Sequence, residues 1–151
     1  MNLNFLEPGE LRDGDLELVC VGQHAADEEK GWVPWLEFSM RHASSGEAMG
    51  KISLRLANSP HLVLYGGHVG YNVDEPFRGQ RLAVRSIRLL LPLAKVHGLN
   101  PLWIMCRPDN IASRRTCELA GGVLEEIRNL PPDTDLYERG ERQVCRYKFD
   151  V

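Results

Sequence analysis

The chain has 151 residues, 43% of them hydrophobic and 26% charged, the proportions of one soluble domain large enough to bury a core. Its formal net charge of −3 excludes a general attraction to nucleic acid or anionic lipid, so any anion-binding device is local and its ligand small. The opening MNLNFLEPGELRDGD has neither a basic flank nor an apolar stretch, and the longest apolar-rich run, IRLLLPLAKV, is far shorter than a bilayer span. A cytoplasmic protein without membrane contact is expected.

In chain order, DLELVCV alternates as a strand does, and GQHAADEEKGWVP reads as a polar, Gly/Pro-punctuated loop. WLEFSMRH and AMGKISLRL, separated by ASSGE, form an expected antiparallel hairpin. HLVLYGGHVGYNV reads as further strand in two pieces around Gly66 and Gly67. From Arg78 to His97 the period becomes helical, with Arg78, Arg81, Arg85, Arg88 and Lys95 on one narrow face and apolar residues on the rest. Pro92 predicts a kink or an early end, and Gly98 a stop. PLWIMCR is an expected buried strand. In PDNIASRRTCELAGG, Asn110 is an N-cap candidate and Gly121 a C-terminal stop for a short helix. VLEEIRNL, a polar PPDTDLYERGE connection and RQVCRYKFDV predict a closing hairpin. The order describes one α/β domain over residues 1–151 with a mixed sheet.

Cys20, Cys106, Cys117 and Cys145 are widely spaced, with no C-x-x-C pair and no cysteine–histidine cluster. Free thiols and no metal are the expectation.

The arginines of VDEPFRGQRLAVRS pose a physical question, because a helix N-terminus already carries partial positive charge and unpaired N–H groups. An anion from outside the sequence resolves it. The turn around Gly79, with the N–H groups of Gln80 to Ala83, can cradle phosphate without a catalytic side chain, although it is neither a Walker loop nor G-x-G-x-x-G. The alternative is a solvated face with arginines paired to carboxylates, above all for Arg85 and Arg88, which lie far along the helix.

HVGYNVDEPFRGQRLAVRSIRLLLPLA resembles the signature of the GNAT acetyltransferase superfamily, a strand followed by a [Q/R]-x-x-G-x-[G/A] loop and a long helix. NIASRRTCELAGG is similar to its second motif, an Asn followed three residues later by Ser and eleven later by Gly. The resemblance implies a single GNAT-like α/β domain with a mixed, mostly antiparallel sheet flanked by helices. In the family's count, strands four and five splay apart. It further implies acetyl-coenzyme A as co-substrate. The backbone of Asn72 and Val73 would take its pantetheine amides, and Arg78, Gly79, Gln80, Arg81, Leu82 and Ala83 its pyrophosphate. Asn110 and Ser113 would lie near the pantetheine or adenosine arm.

Two positions depart from that pattern. Arg81 stands where most of the family has glycine, and Cys117 where many members have a tyrosine that protonates the leaving thiolate. Cys117 can donate only weakly, and a helix cysteine facing the core is more often inert packing. The acceptor amine would attack the thioester directly, with an oxyanion donor on backbone near Val73. His68 and Glu37 are the base candidates, the latter through a water. Tyr71 could reach the thioester or simply pack. Trp32, Trp35 and Phe38 border the acceptor side or the core. The acceptor is a small-molecule or protein amine, and the final strand could pair with a symmetry mate in a homodimer. The competing expectation is a non-catalytic acyl-coenzyme A-binding domain of the same fold.

Overall fold

Period-two alternation builds the first half of the chain. The computed structural model describes residues 11–151, and in it β1 (Leu11–Asp13), β2 (Leu16–His24), β3 (Trp35–His42), β4 (Ala48–Arg55) and β5 (Val69–Val73) form a five-stranded sheet in sequence order. Every neighbouring pair is antiparallel. Along β3, Leu36, Phe38 and Met40 are wholly buried while Trp35 and Glu37 are half-buried. The intervening positions therefore leave a polar face opposite the core, the outcome of alternation in a sheet covered on one side.

The second half carries α1 (Leu82–Val96), β6 (Leu102–Cys106), α2 (Ile111–Leu119), β7 (Val123–Asn129), the single turn α3 (Asp135–Glu138) and β8 (Gln143–Phe149). Helix α1 buries Leu82, Val84, Ile87, Leu90, Leu93 and Ala94 in one cluster with the inward residues of β2 to β4. β6, β8 and β7 make a three-stranded antiparallel sheet in that order. The final strand is thus internal, and the free edge belongs to β7. Pairing of the last strand with a symmetry mate is ruled out by this order.

Three local expectations are corrected. Strand β2 does not end at Val21 but runs to His24, past a bulge at Cys20/Gly22, because His24 pairs with Trp35 and stacks on its ring at 3.8 Å. Leu62–Gly66, expected as strand, is a π-helical turn. Ser59 Oγ accepts the Leu62 N–H at 3.3 Å, Val63 O accepts from Arg146 at 2.8 and 3.2 Å, and Gly67 leaves the turn at φ +74°. A Cβ at Gly67 would stand 3.0 to 3.1 Å from Met105 and Trp103 atoms, so glycine is needed both for its conformation and for the close approach to β6. The long helix begins at Leu82 rather than Arg78, since a 3₁₀ turn (Glu75–Phe77) and positive φ at Gly79 and Arg81 precede it. It continues a turn past Pro92, held there by the burial of Leu90, Leu93 and Ala94, and stops at His97–Gly98 as the sequence predicts.

Between β5 and β6 there is no ladder. The two sheets are joined at one seam, where His68 N–H donates to Trp103 O at 2.7 Å and Trp103 N–H donates to His68 Nδ1 at 2.9 Å. Beyond it the strands part.

Candidate functional site

The gap between β5 and β6 inherits its donors from strand register. Arg55 N–H donates to His68 O at 2.7 Å and Asp74 N–H to Met49 O at 2.9 Å, bracketing β5. With Ser53 opposite Gly70 and Lys51 opposite Asn72, the alternation turns the backbone groups of Gly70 and Asn72 toward β4. Those of Tyr71 and Val73 face the gap. The backbone of Val73 thus faces the gap, as does that of Tyr71, whereas the backbone of Asn72 is committed to the ladder with β4.

At the mouth of the gap, the Val73 carbonyl accepts from Arg78 Nε at 3.0 Å. Gly79 adopts φ +91° with nothing within 4 Å of its would-be Cβ, so it is there for its conformation and not for crowding. Arg81 itself supplies the left-handed residue at φ +57° that a glycine would supply without strain. It is the N-cap of α1, with no side-chain cap and no acidic residue in the first turn, which leaves the N–H groups of Leu82 and Ala83 without a side-chain partner. Gln80 and Arg81 are exposed beside them. The rest of the arginine stripe faces elsewhere. Arg85 is locked to Asp13 at 2.8 Å and Asp15 at 2.6 Å, and Arg88 donates to Leu119 O at 3.0 Å at the end of α2. Their pairing, not phosphate, explains those two.

Helix α2 closes the far side. Asn110 Oδ1 accepts the Ser113 N–H at 3.1 Å, an N-cap that fixes the start of the helix. Ser113 Oγ then meets Tyr71 OH at 2.7 Å, so the phenol reaches from β5 to α2. Burial raises the Tyr71 pKa to about 12 despite that bond. Cys117 is fully buried, and hydrogen bonding to Cys106 together with burial pushes its thiol far up, whereas the same bond holds Cys106 below the usual thiol range. All four cysteines are free. Cys117 is packed in the core cluster.

Residues 11–123 match the family model described as an acetyltransferase (GNAT) domain. The chain belongs to the GNAT acetyltransferase family. No curated protein matches it. Among solved structures it is similar to RimL, a ribosomal L7/L12 alpha-N-protein acetyltransferase in complex with coenzyme A, at 22% identity and TM-score 0.59 over 82% of this chain and 65% of that one. It is also similar to the microcin C7 self-immunity acetyltransferase MccE in complex with acetyl-CoA and AMP, at 16% identity and TM-score 0.59 over 78% and 61%. A protein from Vibrio cholerae provisionally assigned as a ribosomal-protein-serine acetyltransferase matches at 12% identity and TM-score 0.67 over 97% and 100%. The chain spans less than two thirds of the RimL and MccE chains. At these identities the likeness concerns the fold.

On this GNAT frame the two base candidates lie apart. His68 is fully buried at the seam, its Nδ1 accepting from Trp103 and its Nε2 donating to Asn58 Oδ1 at 3.0 Å. Burial, with the Arg55 charge nearby, takes its pKa down to about 4. Both nitrogens are engaged and no solvent reaches them, so His68 is a neutral clasp rather than a base. Glu37 lies on the open polar face of β3, opposite Ser53, which is opposite Gly70. Lys51 stands 4.0 Å from its carboxylate. That row puts Glu37 two strands, roughly 9 to 10 Å, from β5.

The same polar face floors a cavity of about 760 Å³. Ser53 and Arg55 form one wall, Tyr65 and Cys106 another, and the loop carrying Asp135 and Glu141 a third. Trp32, 56% exposed, and Trp35 border it, whereas Phe38 is core. Sequence reading missed Arg55. Its signal was a lone arginine alternating with Lys51 and Ser53 in an otherwise apolar strand.

Proposed function

We propose that this protein is an N-acetyltransferase that moves the acetyl group of acetyl-coenzyme A to a primary amine, with residues 1–151 acting as one domain. The observation that carries the reading is the seam at His68, beyond which Tyr71 and Val73 turn backbone groups not used in the β4 ladder into a gap that ends at the start of α1, where no side chain caps the helix. Such a donor set suits the amides and pyrophosphate of a pantetheine nucleotide. When bound, that co-substrate supplies an activated thioester carbonyl.

Val73 and Tyr71 N–H groups hold the pantetheine arm and steady the oxyanion. Arg78, Gly79, Gln80, Arg81, Leu82 and Ala83 frame the pyrophosphate, with the two arginines adding charge where glycine is usual. Asn110 acts by positioning, since its carbonyl caps α2 and so places Ser113 against Tyr71. Glu37, through a water, takes the proton of the attacking amine, and Tyr71 O–H returns a proton to the leaving thiolate. Its pKa near 12 suits the donor side, because the phenol is fully protonated at neutral pH. The acceptor enters from the open face. The ribosomal-protein acceptors named for RimL and for the Vibrio cholerae protein support an amine at a protein N-terminus.

The test is a thermal melt with acetyl-coenzyme A followed by thiol release over an amine panel. Ligand at a hundredfold excess over Kd adds about 2.7 kcal/mol, which for a chain of this size is roughly 5 to 10 °C. No rise at millimolar ligand overturns the reading. A rise with no thiol release above the amine-free blank leaves an acyl-coenzyme A-binding domain instead.

A further inference from the structure

Among the charged groups lining the cavity, Arg55 stands out. Glu141 has Arg107 at 3.8 Å, and the cavity's other carboxylate, Asp135, lies in the turn that starts α3. Arg55 has no carboxylate partner among the described residues. The one hydrogen bond of its side chain is from Nη1 to Gly67 O at 3.1 Å, which leaves Nη2 and Nε–H without acceptors. Arg55 is half-buried, and that partial burial pulls its pKa down with no carboxylate opposing it. A guanidinium so placed, in a wall of a cavity large enough for a ligand, is short of an anion.

Position fixes what the anion belongs to. A Cβ built on Gly70 would lie 3.8 Å from Arg55 Nη2 and 3.4 Å from Ser53 Oγ. Gly70 has no side chain, so the guanidinium lies close against β5 at this point with no side chain between them. Tyr71 and Val73, the next residues along β5, carry the donors assigned to the thioester. An anionic group on Arg55 is then only a few bonds' length from an amine at the thioester.

We propose that Arg55 is the specificity determinant of the acceptor cleft, holding a carboxylate that the acceptor carries a few bonds from its reactive amine. The planar fork of Arg55 matches a carboxylate, and in the far wall Asp135 and Glu141 are offset by Arg107 and Arg139, which leaves Arg55 as the uncompensated charge. The carboxylate comes either from a free amino acid or from an acidic side chain at the start of a peptide. The inference rests on the acetyltransferase reading.

The experiment compares amines that differ only in that charge, on folded wild type and on Arg55→Gln and Arg55→Lys. L-alanine is set against alaninamide, and amidated tripeptides beginning Asp against those beginning Asn. The expected result is about a tenfold or larger kcat/KM preference for the acid in one pair, the scale of a charge-assisted hydrogen bond. That preference collapses in Arg55→Gln, survives in part in Arg55→Lys, and leaves the KM for acetyl-coenzyme A unchanged. The alanine pair reports a free amino acid and the tripeptide pair a peptide. Turnover of acids and amides at equal efficiency, or a preference that persists in Arg55→Gln, overturns the proposal while the acetyltransferase reading stands. Should no amine be turned over, fluorescence of the cavity tryptophans is titrated with succinate and with succinamide. Saturable quenching by succinate alone, lost in Arg55→Gln, upholds the anion site apart from the acetyl-transfer reading, and equal or absent responses remove it.

Discussion

His68 gives a pH prediction that its geometry makes quantitative. In the unfolded chain its imidazole titrates at 6.5, whereas folding buries it completely between Asn58 and Trp103 and takes the value to about 4. Its Nδ1 already accepts a hydrogen bond, so a second proton breaks the seam. The unfolded state binds that proton first, which means the contribution is fully present above pH 6.5 and is lost as pH falls toward 4. At about 1.4 kcal/mol per pH unit the full loss is ~3 kcal/mol, of which about 2 kcal/mol is gone by pH 5. For a chain of this length that is a Tm fall of roughly 4 to 8 °C between pH 7 and pH 5. Thermal melts of wild type and His68→Gln over that range are the assay. Glutamine can still bridge Asn58 and Trp103, so the variant starts about 1 to 3 kcal/mol lower yet its pH slope is shallower by the amount above. His97, whose pKa burial also lowers, acts equally in both proteins. Parallel slopes in the two proteins would refute the assignment of His68 as a buried neutral clasp.

Replacing Arg78 and Arg81 together by Ala removes two exposed cations from the phosphate loop and weakens acetyl-coenzyme A binding about tenfold, with a shallower salt dependence, measured by titration at two ionic strengths. Gly50→Ala forces a Cβ to 2.6 Å from Asn72 O and 3.0 Å from Val73 Cα. It costs about 1 to 3 kcal/mol in a melt and raises the KM for acetyl-coenzyme A, because the displaced backbone is the cofactor edge of β5. Glu37→Gln lowers kcat by roughly a hundredfold if its carboxylate takes the amine proton, and an unchanged pH–rate profile removes it from the mechanism. Tyr71→Phe lowers kcat with little change in KM and erases the alkaline limb of that profile.

Much of this was written in local pattern. The hairpin of β3 and β4, the stop at Gly98 and the Asn110 cap each follow from a turn residue, a cap or an alternation that acts over a few positions. The failures are tertiary. Leu62–Gly66 has the composition of a strand, and only the approach of Gly67 to β6 and the grip of Arg146 on Val63 coil it. That Arg85 pairs with carboxylates was an open alternative in the sequence, but which ones was not, because Asp13 and Asp15 are some seventy residues away. His68 carried the right chemistry for a base, and what disqualifies it is burial by an element 35 residues later. Arg55 went unnoticed because an arginine on a strand's polar face becomes informative only when no carboxylate sits across from it.

The single seam between the sheets also governs how the molecule comes apart. In their ladders β1 to β5 bond only to their neighbours in sequence, whereas β6, β8 and β7 pair with one another and meet β5 at the His68–Trp103 seam. Amide exchange therefore resolves two cooperative blocks, the local meander and the late-closing trio. A ligand lodged in the gap touches both, and its arrival is read as the merging of two exchange rates into one.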